Sequence, residues 1–305
     1  MRRPLPQENA LVIGLDIGGS KTLAGLVSRS GVIKRTEQVA TAPSPPAILS
    51  AARSLCESLI AAADAPVLGI GIGSAGIIDA DEGSVIFANE NLPGWTGTRL
   101  SELRIDGDLP ITVSNDVRAL AYGEAIVGAG ADYDSLLCVT VGTGIGGALI
   151  KNGAVWHGAD YSAGEIGYLV VDWDGDEPLI LDQYASGPAI ERAYQKAAGR
   201  ADRLPLTEIA QLGRDGDETA ITAISTKARR LGLILAGCAT SFNPAAVVVG
   251  GGVPQIGALW WDTFEAAFRE SLPPPVATTP LLPAKLGANS VMLGAALLAW
   301  GEVES

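Results

Sequence analysis

Basic charge is scarce in this sequence. Its 305 residues hold 21 Lys and Arg against 34 Asp and Glu, a net charge of −13. A nucleic-acid or anionic-membrane surface needs clustered cations, so neither partner is expected. An anionic cofactor stays open, because backbone amides and one Lys can outweigh the global field locally. Long apolar runs are missing too: none approaches the roughly 20 residues that a membrane span needs. The polar start Met1-Arg2-Arg3-Pro4-Leu5-Pro6-Gln7-Glu8-Asn9 does not read as a signal peptide. Cysteine is rare. Cys56, Cys138 and Cys238 lie far apart in apolar segments and read as buried thiols of a reducing compartment, so the expected location is cytoplasmic. His157 is the single histidine, and its glycine-rich surroundings read as a loop.

Apolar residues and glycine are plentiful. A composition of 48% hydrophobic and 18% charged residues is globular, with core enough for one large domain or two ordinary ones. The most informative stretch is Leu137 to Ile150. A β-branched apolar run reaches Gly142-Thr143-Gly144-Ile145-Gly146-Gly147, and a second apolar run follows, ending at Asn152-Gly153. The letters satisfy G-x-G-x-x-G, but a dinucleotide fingerprint needs a helix after the glycines. Here an Asn-Gly hairpin turn closes a second strand. The plan is strand, glycine turn, strand, and such a turn can hold phosphate on converging amides. Leu11 to Asp16, Ile17-Gly18-Gly19-Ser20-Lys21 and Thr22 to Val27 repeat that plan. Gly14 and Gly19 have Walker A spacing, but Ser20 stands where Lys is required and a strand follows, so that motif is rejected.

The remaining chain alternates helices and strands, which predicts an α/β fold. Helices are expected from Pro45, from Val117 to Val127, and at 188–198, 207–212, 218–239, 256–271 and 290–300. Strands are expected at 67–73, 111–113, 168–171 and 245–249, with an acidic loop over 172–178 and an irregular stretch over 156–167. The doubled hairpin unit predicts two related halves. The expected domains are 10–114 plus about 290–303, and 115–289.

Three glycine turns, at Gly18-Gly19, Gly142–Gly147 and Gly250-Gly251-Gly252, each follow an apolar strand. Their shared place at strand C-termini points to a nucleotide crevice, where α/β folds bind ligands. Asp16 beside the first turn suits Mg²⁺, directly or through water, or else caps a turn. Lys21 meets a phosphate or is simply solvated. Asp116 after a strand and before a helix suits a general base, with Asn115 orienting the substrate; the pair also suits a plain helix N-cap. Glu165, between glycines ahead of an apolar run, is placed oddly for a solvated face and suits sugar hydroxyls.

Taken in order, Asp16-Ile17-Gly18-Gly19-Ser20-Lys21, Asn115-Asp116, Gly142-Thr143-Gly144-Ile145-Gly146-Gly147, Ala163-Gly164-Glu165-Ile166-Gly167, Ala185-Ser186-Gly187 and Gly250-Gly251-Gly252 resemble the motifs of the ROK (repressor, open reading frame, kinase) sugar kinases. The resemblance covers about residues 10 to 300. It implies an actin-like, RNase H-like ATPase fold of two α/β domains around a cleft. It also implies transfer of the ATP γ-phosphoryl to a hexose hydroxyl, with Mg²⁺ as cofactor and a homodimer as assembly. Carried over by motif, Asp116 is the catalytic base, while Asn115 and Glu165 bind sugar, and Asn91 and Gly76 lie in loops similar to those lining the sugar pocket. Asp16, Gly18, Gly19, Ser20 and Lys21 match the first phosphate and Mg²⁺ turn. Gly142, Thr143, Gly144 and Gly146 match the second, and Gly250, Gly251 and Gly252 the adenosine side.

Departures from the pattern bear on specificity. Many members follow Gly-Glu-Ile-Gly with His and then a zinc-binding Cys-x-Cys-Gly-x-x-Gly-Cys segment. This chain has Tyr168 and a cysteine-free Asp172-Trp173-Asp174-Gly175-Asp176-Glu177, so no zinc site of that kind is expected. The same segment imitates the start of an EF-hand, but Glu177 takes the place of its glycine and Gln183 that of its last Glu. Asp182 replaces a family Glu that touches sugar, one methylene shorter. The expected activity is that of a glucokinase acting on the 6-hydroxyl. Alternatives are a kinase for an amino sugar such as kanosamine or N-acetylmannosamine, or for a cyclitol, and a non-catalytic sugar-binding regulator. Polyphosphate is the alternative donor. A DNA-binding repressor is disfavoured by the acidic charge and by the short polar stretch before the first strand.

Overall fold

The computed structural model describes residues 9–88, 92–103, 105 and 109–304. The chain divides into two compact units, 1–132 with 153–163 and 286–305, and 133–152 with 164–285.

In the first unit, β1 (Leu11–Ile17) and β2 (Lys21–Ser28) form the expected hairpin. β3 (Ile33–Ala40), α1 (Pro45–Ala62), β4 (Val67–Ser74), the small hairpin β5 (Ile77–Asp79) and β6 (Ser84–Phe87), β7 (Ile111–Asn115) and α2 (Asp116–Val127) follow. The sheet runs β3-β2-β1-β4-β7, with β1 to β3 antiparallel and β4 and β7 parallel to β1. One face is covered by α1 through Ile48, Ala52, Leu55 and Leu59, the residues whose helical spacing marked the helix. The other face takes α8 (Ser290–Glu304), packed through Met292, Leu293, Ala296 and Leu297. Gly14 and Gly71 make that approach possible. A Cβ at Gly14 would overlap the Met292 carbonyl oxygen, and one at Gly71 the Ala295 carbonyl oxygen, so helix backbone rests directly on the strands.

In the second unit, β8 (Ser135–Val141) and β9 (Ile145–Lys151) repeat the hairpin; the two-residue β10 (Ala154–Val155), next along the chain, belongs to the first unit. β11 (Val170–Asp174), β12 (Glu177–Ile180), α3 (Leu181–Ala185), α4 (Gly187–Ala197), α5 (Leu206–Arg214), α6 (Glu218–Phe242), β13 (Ala246–Gly250), α7 (Ala258–Ser271) and β14 (Leu281–Pro283) complete the second unit. β13 lies between β8 and β14, parallel to both. The core combines the Val and Leu of β8 and β13 with the apolar faces of α4, α5, α6 and α7. Within α7, Trp260 and Phe264 stack with ring centroids 4.8 Å apart.

Several expectations are corrected. The division falls after Asp132, not at 114/115, because α2 packs on α8 and Glu124 of α2 accepts a hydrogen bond from the Leu286 amide at 2.9 Å. The segment 286–289 therefore joins the first unit, ahead of the expected 290, and 153–163 joins it as well. Residues 172–178 are not a loop: Trp173 pairs with Pro178 and Asp174 with Glu177 across a hairpin turned at Gly175. Alternating side chains let acidic residues stand on a solvated strand. Tyr168 ends a 3₁₀ turn over Ile166–Tyr168 rather than starting a strand.

Candidate active site

Strand register brings one group of candidate residues together in the first unit. Asp16 of β1 pairs with Gly73 of β4, and Gly73 with Ser114 of β7; Ile17, Ser74 and Asn115 form the next row. Parallel strands thus end together, and Asp16 and Asp116 become neighbours although far apart in the chain. Burial pushes the Asp16 carboxyl up to about 7; the nearby Asp116 adds to the rise and Lys21 opposes it. Asp116 rises to about 6, again chiefly through burial, against the Val117 amide and Asn115 side chain that hydrogen-bond its carboxylate and the Arg118 charge beside it. Two carboxylates crowded in this way favour a cation or a proton between them.

Asn115 resolves the choice of cap. Its Oδ1 accepts from the amides of Val117 (2.9 Å) and Arg118 (3.1 Å), while Nδ2 donates to the Gly76 carbonyl at 2.7 Å. The N-cap frees the Asp116 carboxyl, which begins the helix, from capping Arg118. The second Nδ2 hydrogen of Asn115 is left for the Asp116 carboxylate or a ligand oxygen beside it. The turn Gly18-Gly19-Ser20 is braced from β3: the Thr41 hydroxyl donates to the Gly18 carbonyl (2.6 Å) and the Thr41 amide to the Ser20 carbonyl (3.0 Å). Gly19 and Ser20 are exposed, and Lys21 is half-buried at the start of β2.

In the second unit, another group of candidate residues is built around Gly142-Thr143-Gly144 between β8 and β9. The Gly187 amide at the head of α4 donates to the Gly142 carbonyl (2.8 Å), and the Val253 amide to the Val141 carbonyl (2.9 Å). These bonds draw the turn together with Ala185-Ser186-Gly187 and with Gly250-Gly251-Gly252 at the end of β13. At Gly142 and Gly252 the space where a Cβ would stand is open, as a phosphate or ribose cradle requires. Gly146 sits in β9 opposite Thr140.

The turn bearing Glu165 packs onto the same hairpin. A Cβ at Gly147 would overlap the Gly164 carbonyl oxygen, and one at Gly167 the Ile145 carbonyl oxygen, which explains glycine at both positions. Glu165 itself is half-buried. Tyr168 is 52% exposed, and burial of its phenol with the charges of Glu165 and Asp182 holds its pKa above the usual value. Asp182 is engaged already: its Oδ1 accepts from the Ile145 amide at 2.6 Å, inside the glycine turn. The carboxylate thereby braces the glycine turn between β8 and β9. Asn91 lies outside the described residues.

Two supporting residues escaped the sequence reading. Trp95 is fully buried and its indole donates to the Ser74 hydroxyl (2.9 Å), tying the Pro93-Gly94-Trp95 loop to the end of β4. Arg118, also buried, donates from Nη2 to the Tyr161 carbonyl at 2.5 Å and the Ala163 carbonyl at 3.4 Å. The signal for Arg118 was a cation on the apolar side of a helix whose neighbours Ala119, Leu120 and Ala121 are core residues.

Residues 12–302 match the profile of the ROK family. The chain belongs to that family. A glucokinase of Streptomyces coelicolor is 32% identical over 314 residues, covering 95% of this chain and 97% of the relative. The crystal structure of a ROK family glucokinase from Streptomyces griseus in complex with glucose and AMPPNP superposes with a TM-score of 0.82 at 34% identity, covering 95% of this chain and 99% of that one. The ROK hexokinase of Thermus thermophilus gives 0.84 at 30%, covering 96% and 99%. The α/β units of this ROK protein have the actin-like ATPase fold of those neighbours. Among the described residues, no group of three or more His, Cys, Asp or Glu is placed to hold a metal ion, and the 172–177 segment of this member is a β-hairpin.

Proposed function

We propose that this ROK protein transfers the γ-phosphoryl group of ATP to the 6-hydroxyl of a hexose, glucose being the first candidate. The single observation that supports this most directly is the Asp116 carboxylate. It stands at the start of α2, where Asn115 caps the Arg118 amide and its own Oδ1 accepts from the Val117 amide (2.8 Å), and its raised pKa keeps it basic enough to accept a proton yet ionised at neutral pH.

Asp116 takes the proton of the sugar hydroxyl as that oxygen bonds to the γ-phosphorus, and the bond to the ADP oxygen breaks. Most of the acceleration comes from positioning and from stabilising charge on the phosphoryl oxygens. The amides of Gly19, Ser20, Thr143 and Gly144 serve the phosphates, with Lys21 as a nearby cation, while the Gly18 and Gly142 amides close their own turns on the Lys21 and Gly144 carbonyls. The donor set fits Mg²⁺: Asp16, held partly protonated by burial and by Asp116, is the carboxylate a dication would relieve. Bound Mg²⁺ supplies neutralisation of phosphate charge. On the acceptor side, Asn115 shares its second amide hydrogen with a sugar oxygen beside Asp116, while Glu165 and Tyr168 offer a carboxylate and a phenol to sugar hydroxyls.

The test is ADP release from ATP, and separately phosphate transfer from polyphosphate, with glucose, glucosamine, kanosamine, N-acetylmannosamine and a cyclitol as acceptors. Turnover with glucose is expected. Asp116→Asn should lower kcat by about 10²- to 10⁴-fold with KM little changed, and wild-type turnover should fall as pH drops below about 6. No turnover with any acceptor, or an undiminished Asn variant, defeats the reading.

A further inference from the structure

A buried guanidinium is costly unless its donors are matched, so its presence where an aliphatic residue would pack calls for a reason. Arg118 is 1% exposed and occupies the first turn of α2, two residues after Asp116. Its amide is held by the Asn115 cap, so the backbone that positions Asp116 and the backbone that bears the guanidinium are one rigid turn. The Nη2 fork reaches two backbone carbonyls, those of Tyr161 and Ala163. Other contacts hold the same segment, among them the His157 ring at 5.8 Å from that of Tyr161. The Ala163 amide closes it on the His157 carbonyl at 3.1 Å, and the Tyr161 hydroxyl donates to Asp81 Oδ2 at 2.7 Å. Tyr161 has φ 54°, a left-handed conformation that a side chain of this size adopts only where its surroundings impose it. The next residues along the chain are Gly164 and Glu165.

We propose that Arg118 is a positioning residue: it pins the Tyr161–Ala163 backbone to the turn that bears Asp116, so that the chain enters Gly164 and Glu165 from a fixed anchor. The proposal rests on the sugar-kinase reading, with Glu165 as a sugar ligand. A planar guanidinium suits the role, because it serves two carbonyls at fixed angles whereas an ammonium supplies a point charge. The consequence falls on the sugar and not on the nucleotide.

Steady-state kinetics with sugar and ATP varied separately, sugar affinity by calorimetry, and thermal melting test the idea in Arg118→Lys, Arg118→Met and Tyr161→Phe. Arg118→Met should raise the KM and Kd for sugar at least tenfold, leave the KM for ATP within twofold, and lower kcat by less than the sugar KM rises. Arg118→Lys should fall between that variant and wild type. Tyr161→Phe, which removes the hydroxyl's tethers to Asp81 and Asp79 and keeps the ring, should weaken sugar binding about threefold. Unchanged sugar affinity in the folded Arg118 variants overturns the proposal, as does a loss of kcat with both KM values unchanged. Should Arg118→Met fail to fold, unchanged sugar affinity in both Arg118→Lys and Tyr161→Phe overturns it equally. Calorimetry separates this result from failure of the kinase reading, since a wild type that binds sugar without turnover defeats only the latter.

Discussion

Replacing Asp16 by Asn should make the ligand-free protein more stable while removing its activity. Folding raises the Asp16 carboxyl from 3.8 to about 7. The folded chain therefore holds this proton more tightly than the unfolded chain, and stability is lost as pH rises between those values. A tenfold difference in proton affinity corresponds to about 1.4 kcal/mol, which gives a ceiling of about 4 kcal/mol at pH 8. The side chain is only half-buried, and screening by water reduces the expected gain of the Asn variant to about 2 kcal/mol. For a chain of this size that is a rise in Tm of roughly 4 to 8 °C at pH 8. At pH 5 the gap should shrink to less than half, because most folded wild-type molecules already carry the proton. Added Mg²⁺ with ADP should stabilise the wild type and not the variant. The assay is thermal and urea unfolding of both proteins from pH 4.5 to 8.5. An Asn variant equal to or less stable than wild type at pH 8, or a gap independent of pH, would refute the argument that Asp16 is a burdened carboxylate awaiting a cation.

Two further substitutions probe the other contacts. Asp182→Ala leaves the Ile145 amide without its acceptor and should loosen the phosphate turn, raising the KM for ATP about tenfold, the worth of one hydrogen bond to a charged group. If sugar KM rises instead and ATP KM stays, Asp182 acts as a sugar ligand and not as a brace. Gly71→Ala places a methyl group against the Ala295 carbonyl and should force α8 off the sheet, destabilising by about 3 kcal/mol or more, measured by urea unfolding; a loss below about 1 kcal/mol would contradict the close packing of helix and strand.

Local chemistry was legible where a short run of residues acts as a unit. Strand, glycine turn and strand at Leu11–Val27 and Leu137–Ile150 are adjacent in sequence, so hairpin geometry follows from period and turn residues alone. The helix from Pro45 was readable for the same reason, and so were the glycine turn after β13 and the apolar α8. The acidic stretch at 172–178 was misread because charge suggests a loop, whereas a two-stranded ribbon exposed on one side accepts charge at alternate positions.

The sequence by itself determined the candidate groups: glycine turns after buried strands, an Asn-Asp pair before a helix, a Glu between glycines, and a 172–177 segment without cysteine. Tertiary structure decided which of these groups meet. Parallel pairing of β1, β4 and β7 brings Asp16 beside Asp116, and burial there raises both pKa values. Packing chose Asn115 over Asp116 as the cap, turned Asp182 toward the Ile145 amide, and placed Arg118 under Tyr161 and Ala163. Each of these is a long-range contact set by strand register and close backbone approach, and neither quantity is written in any one segment of the chain.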